Sequence, residues 1–258
     1  MSEANDDTEA GEVRRWYHPD GSLEREEQLL PFRMLVRRFY RSNGTLERYE
    51  GWDYPKHKSI IMLYNEAGKL EDLPDGTAAV RRFFGDGSLD YENYYPKEGD
   101  KGLPDGSADI RNYYPNGTLK TECWGCSLKM RTYYPDGSLE SEVLPSSDGT
   151  TTLSCRPDGS LDREVRGDGG RPCDFQDGNP AVRVFRRDGS IEYEEHYNFC
   201  GELDDPSDGS PAVRWYHHNG TVSAEAHYRH GVPSAQHQPD SCETCKWIIE
   251  EQERRAHL

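Results

Sequence analysis

No stretch of this sequence is apolar for long enough to span a bilayer, and its first twelve residues, MSEANDDTEAGE, hold no apolar run at all. Neither a membrane helix nor a secretory leader is therefore expected. Hydrophobic residues are scarce, at 33% of the chain, and the mean hydropathy is −1.01. One globular core of 258 residues would need more apolar side chains than this. Catalytic signatures are missing as well. There is no H-E-x-x-H, no Ser-His-Asp or Cys-His motif, and the Gly-rich REVRGDGGRP lacks the lysine and the following helix of a phosphate loop. Basic charge is in deficit too: the formal net charge is −17. Acidic surfaces repel phosphate, so nucleic acid and anionic membrane are not expected as partners. The seven cysteines are odd in number and irregular in spacing, which fits a soluble, cytoplasmic protein with reduced thiols.

What the chain does have is aromatics and a repeat. Sixteen Tyr, seven Phe and five Trp argue against a solvated coil. One phrase recurs as WYHPDGSLE, FYRSNGTLE, FFGDGSLD, YYPNGTLK, YYPDGSLE, FRRDGSIE and WYHHNGTVS, with weaker copies LYNEAGKLE and SCRPDGSLD. Their glycines are Gly21, Gly44, Gly68, Gly87, Gly117, Gly137, Gly159, Gly189 and Gly220. Asp or Asn precedes the glycine in eight copies, and the residue two after it is Leu, Ile or Val in all nine. Tyr or Phe stands four before it in eight copies, Arg six before it in seven, and Glu five after it in seven. Asp-Gly or Asn-Gly between β-prone runs signals a hairpin turn. The same turns account for the three N-G-T sequons at Asn43, Asn116 and Asn219.

Two registers compete. A two-residue turn sets Arg against Glu, as in Arg15–Glu26, Arg111–Glu122 and Arg214–Glu225. A three-residue bulged loop sets the aromatic against the aliphatic residue, as in Tyr17–Leu23, Tyr113–Leu119 and Phe185–Ile191. Proline two before the glycine in four copies suits the bulged loop. So does the energy. Burying an aromatic or aliphatic side chain is worth about 1.5–3 kcal/mol, and an exposed ion pair about 0–1 kcal/mol. This register buries Tyr17, Tyr40, Tyr113, Tyr133 and Tyr216 beside the Leu or Val six residues later. The joint replacement of Arg and Glu by Met62 and Leu73 favours the rival. A second glycine signal (Gly76, Gly106, Gly149, Gly178, Gly209) precedes the next turn glycine by ten or eleven residues, so the entry to each hairpin is fixed in length and variable loops follow the acidic strand.

The sequence thus predicts an all-β fold: an elongated repeat of about nine antiparallel β-hairpins, forming an open twisted sheet or β-solenoid, with little helix before residue 240. Residues 1–12 read as a disordered acidic tail, 13–232 as the hairpin repeats, 233–241 as a linker and 242–258 as an amphipathic helix. That helix either caps the last hairpin or docks a partner. Y-Y-P-(D/N)-G-(S/T)-L-E-x-E, with the intervening D-G-x-x-A-V-R, resembles the MORN-repeat-variant family over roughly residues 13–231. The resemblance implies repeated β-hairpins and, for some members, an antitoxin role.

The chemical candidates are few. Glu122, Glu142 and Glu164 occupy the acidic column of consecutive repeats and are the candidate contacts for a basic protein partner; the alternative is solvated charge that deters edge aggregation. The pairs Cys123/Cys126 and Cys242/Cys245 offer four thiolates for zinc, but 115 residues separate them, and small half-buried thiols explain them as well. Arg stacking on neighbouring aromatics is read as structural. No cofactor and no catalytic residue is expected. The leading expectation is a non-enzymatic protein-interaction scaffold. An antitoxin or immunity-like protein against a basic toxin is the alternative, and a zinc-binding protein the third.

Overall fold

The computed structural model describes residues 11–31, 34–53, 58–95, 108–125, 127–175 and 177–234. Every regular element among them is a β-strand. The acidic tail up to residue 10, the linker beyond Ser234 and the helix expected over 242–258 lie outside the described residues. The chain forms two compact units, Met1–Gly137 and Ser138–Leu258.

In the first unit each strand pairs antiparallel with the next in sequence. The order is β1 (Val13–Tyr17), β2 (Leu23–Leu30), β3 (Met34–Tyr40), β4 (Leu46–Asp53), β5 (Lys58–Leu63), β6 (Val80–Phe83), β7 (Leu89–Asn93), β8 (Ile110–Tyr113), β9 (Leu119–Cys123) and β10 (Met130–Tyr133). The second unit repeats the scheme with β11 (Leu139–Ser146), β12 (Gly149–Cys155), β13 (Leu161–Asp168), β14 (Arg171–Pro172), β15 (Val182–Phe185), β16 (Ile191–Glu195), β17 (Val213–Tyr216) and β18 (Val222–Ala226). Here β13 is long enough to pair with both β14 and β15. A small hairpin, β19 (Tyr228–Arg229) with β20 (Val232–Pro233), follows.

The repeat phrase makes the turn. All nine turn glycines have φ between 75° and 89°, a left-handed conformation that only glycine adopts cheaply. In all nine the glycine N–H donates to the carbonyl three residues back, as Gly21 does to His18 at 2.9 Å and Gly220 to His217 at 2.9 Å. The residue before the glycine locks the loop. Asp20 Oδ1 accepts from both the backbone N–H and the hydroxyl of Ser22, at 2.9 and 2.6 Å, and Asn43 does the same for Thr45. This is the reason for D-G-S and N-G-T: either acceptor serves, provided a hydroxyl follows the glycine.

Both pairings that compete in the sequence occur together. Tyr17 faces Leu23, as the bulged loop requires, yet Trp16 faces Arg25 and Arg15 faces Glu26. Glu24 is the extra residue that reconciles them. The same one-residue slip recurs in six further hairpins, at Glu47, Asp90, Lys120, Asp162, Glu192 and Ser223. A bulge of this kind absorbs one residue and sharpens the local twist. The expectation that one register excludes the other is thereby corrected. The Met62–Leu73 replacement is not a cross-strand pair either: Met62 faces Tyr49 and Val80, while Leu73 sits exposed in a loop.

Three side-chain devices tie neighbouring repeats together, one or more at most junctions. The residue three before the turn glycine bonds the carbonyl of the next repeat's aromatic. His18 reaches Tyr40 O at 3.0 Å, Arg41 reaches Tyr64 O at 2.5 Å, Tyr114 reaches Tyr133 O at 2.9 Å, and Arg156 and Arg186 reach the carbonyls of Phe185 and Tyr216. A second device belongs to the D-G-x-x-A-V entry. Asp174 Oδ1 accepts from Ala181 N at 2.8 Å and Tyr197 N at 3.0 Å, while its Oδ2 meets His196 Nδ1 at 2.5 Å. Asp205 holds Ala212 N, Tyr228 N and His227 in the same way, and Asp72 holds Ala79 N and Tyr95 N. The entry Ala and Val side chains beside these carboxylates are all buried: Ala78, Ala79, Val80, Ala181, Val182, Ala212 and Val213. The third device is the bond from Tyr to Glu described next.

Candidate functional site: a charged row across the strands

Antiparallel register places facing residues side by side on one face, so a column repeated in sequence becomes a row across the sheet. In the first unit that row reads Arg14, Glu27, Arg37, Glu50, Ile61, Arg81, Glu92, Arg111, Glu122, Arg131, one residue from each of β1 to β10. Basic and acidic groups alternate along it except at Ile61. Strands lie about 4.8 Å apart, so the row runs for about 43 Å. Its first half is not the column that the sequence singles out. Arg15, Glu26 and Arg38 form a parallel row one residue over, on the opposite face, which ends at Tyr49 and Met62. Around Gly68 the strand ladder shrinks to the single bridge Tyr64–Leu70, and β6 joins β5 one residue out of step. A one-residue slip exchanges the faces.

Ion pairs and phenols hold the row. Arg37 Nε donates to Glu27 at 2.6 Å, and Arg111 lies 3.9 Å from Glu122. Tyr113 O–H donates to Glu92 at 2.6 Å and Tyr133 O–H to Glu122 at 2.6 Å. Both phenols titrate higher than usual. Burial raises Tyr113 first, and its bond to the Glu92 carboxylate adds to it. Tyr133 is pushed up to about 12, by burial and then by the bond to Glu122. On the same face of the first repeats, Arg25 stacks on Trp16 at 3.8 Å and Arg48 on Phe39 at 4.2 Å, the stacking expected of the arginines.

The second unit carries its own row: Glu142, Leu153, Glu164, Arg183, Glu194, Arg214, Glu225, on β11, β12, β13, β15, β16, β17 and β18. Tyr216 O–H donates to Glu194 at 2.5 Å, and Arg214 lies 3.4 Å from it. Leu153 stands where the alternation calls for Arg, between Glu142 and Glu164. Cys155, two residues along β12, holds its proton more tightly than an ordinary thiol, through burial and then repulsion from Glu142 and Asp162.

The three acidic candidates therefore differ. Glu122 is half-buried, faces both Arg111 and Arg131 and receives the Tyr133 phenol. Glu164 faces Arg183, 3.7 Å away, on one side and Leu153 on the other. Glu142 faces Leu153. Of the cysteine candidates, Cys123 is half-buried between Ile110 and Met130, and burial raises its thiol. Cys126, Cys242 and Cys245 lie outside the described residues. Among the described residues no cluster of three or more His, Cys, Asp and Glu is placed to hold a metal, and no helix is long and apolar enough to cross a membrane. Sequence reasoning missed the Asp72, Asp174 and Asp205 clasps. Their signal is present as an Asp four before Gly76, Gly178 and Gly209.

Two segments, residues 128–144 and 212–230, match the family model described as MORN repeat variant. The first covers β10 and the start of β11, and the second covers β17 and β18. No curated protein matches the chain.

Proposed function

We propose that this chain is a non-enzymatic scaffold whose second unit holds a basic protein segment on its sheet face, where Leu153 interrupts the charged row. One observation carries the reading: Glu142 and Glu164 flank Leu153 on adjacent strands. Two strand spacings, about 9.6 Å, separate the flanking positions. A Lys or Arg from a partner can lay its aliphatic stem along Leu153 and set its charge between the two carboxylates, continuing the alternation. The charge balance agrees. Between Ser138 and Ser234 there are twice as many Asp and Glu as Arg, and no Lys. The match to a repeat family supports a binding role over catalysis.

The test is titration of an Arg-rich peptide into the full chain by calorimetry. Binding should weaken steeply as salt rises, since the screening length falls from about 10 Å at 0.1 M to about 3 Å at 1 M. Leu153→Arg should fill the gap and weaken binding about tenfold or more, which is about 1.4 kcal/mol. Affinity indifferent to both salt and Leu153→Arg would reject the site.

A further inference from the structure

Within each unit the described strands pair with neighbours on both sides, and the outermost strands of the first and last repeats do not. Among the described residues β1 pairs with β2 alone and β18 with β17 alone. The exposures follow. Of the nine residues in the aromatic column and the nine in the aliphatic column, the large apolar ones left exposed are Tyr17, at 58%, and Val222, at 46%. These are the aromatic of the first repeat and the aliphatic residue of the last.

The two ends carry complementary halves of the bonds that join interior repeats. Glu92, Glu122 and Glu194 each accept the phenol of the next repeat's tyrosine and face the arginine two residues before it. Glu225 is their counterpart in the last repeat, and among the described residues it pairs with Arg214 of its own hairpin and meets no tyrosine of a further repeat. His18, Arg41, Tyr114, Arg156 and Arg186 each reach the carbonyl of the next aromatic. Their counterpart in the last repeat is the exposed His217. His18 shows that histidine makes this bond. At the other end, Tyr17 offers both the phenol and the carbonyl that these bonds require, and Arg15, two residues earlier, offers the cation. The β1 edge is basic, with Arg14 and Arg15, and β18 carries Glu225.

We propose that a second copy of this chain is the occupant of both edges: β18 of one copy pairs antiparallel with β1 of another, in the register of the interior repeats. That register sets Ala224 against the partner's Trp16, Glu225 against the partner's Arg15, and Ala226 against the partner's Arg14. It directs the partner's Tyr17 phenol to Glu225 and His217 to the partner's Tyr17 carbonyl, and it covers Tyr17 with Val222. The contact is head-to-tail, so a pair still presents one edge of each kind and association continues beyond two chains unless a ring closes. Isolated edges of this sort are the usual sites of strand addition. This association is independent of the proposed basic ligand at Leu153, because it uses neither Glu142 nor Glu164.

Sedimentation velocity of the full chain over a wide concentration range tests it. The weight-average mass should climb past that of two chains as concentration rises. Arg15→Glu and Glu225→Lys should each remain at one chain, with unchanged circular dichroism. Mixed in equal amounts, the two variants should associate again, since the Arg15→Glu edge accepts the lysine of the other and each keeps one native edge. Misfolded variants would not recover on mixing. A wild-type mass that stays at one chain at every concentration would overturn the proposal. So would single variants that associate like wild type, or a mixture no heavier than its components. Association lost on removing residues 235–258, and indifferent to Arg15 and Glu225, would assign the contact to that segment and overturn it equally.

Discussion

The phenol of Tyr133 donates to Glu122 at 2.6 Å, joining the tyrosine of one repeat to the glutamate of the repeat before it. The same bond links Tyr113 to Glu92 and Tyr216 to Glu194. A hydrogen bond to a charged group contributes about 1.5–3 kcal/mol, roughly twice a neutral one. Tyr113→Phe and Tyr216→Phe should each lower stability by about 1–2 kcal/mol in urea melts. Tyr17→Phe should be nearly silent in the isolated chain, because Tyr17 is exposed and its phenol meets no glutamate among the described residues.

The raised phenols make a pH prediction. Tyr133 keeps its proton in the folded chain up to about pH 12, while the unfolded chain releases it near the ordinary value of 10.0. The unfolded state then binds fewer protons between these values, so stability falls as pH rises through that window. Its contribution is fully present below pH 10.0 and is lost as pH rises through about 12. Urea melts from pH 9 upward should show the decline, and Tyr133→Phe should make it shallower.

Much of this fold is legible in the sequence, because the turn is local. Asp-Gly-Ser and Asn-Gly-Thr dictate the bulged loop within five residues, and the loop fixes Tyr113 opposite Leu119. What is not legible is the order of strands across repeats. The sequence singles out Arg15 and Glu26, yet Arg14 and Glu27 continue into the later row, because β6 joins β5 one residue out of step. Such a slip depends on the length and packing of the Gly68–Val80 connection and not on any column. The acidic candidates were legible as positions but not as environments. Glu122 and Glu164 occupy the same column, and only the structure shows one between two arginines and the other beside Leu153.

The inter-repeat staples should be measurable against an internal control. Arg186 donates to the Ile191 carbonyl at 2.6 Å and to that of Tyr216, whereas the adjacent Arg187 is exposed. Arg186→Ala should cost about 1–3 kcal/mol, the range for leaving such acceptors unmatched. Arg187→Ala should stay within about 0.5 kcal/mol, as surface changes usually do.

The Asp174 clasp predicts a contrast between two substitutions. Oδ1 satisfies two backbone N–H groups, Ala181 and Tyr197, and Ala181 is fully buried. Asp174→Ala orphans both donors and should cost about 2–5 kcal/mol, since each buried unpaired group costs about 1–3. Asp174→Asn keeps one acceptor oxygen and should lose less than half of that. Equal losses in thermal melts would show that the clasp acts by charge alone.

The account rests on side-chain bonds that couple one repeat to the next, and a double-mutant cycle on Glu122→Gln and Tyr133→Phe measures that coupling. Urea unfolding of the two single variants and the double variant should give a coupling of about 1–2 kcal/mol, as expected for residues in one hydrogen-bonded pair. Losses that simply add, to within about 0.3–0.5 kcal/mol, would contradict it.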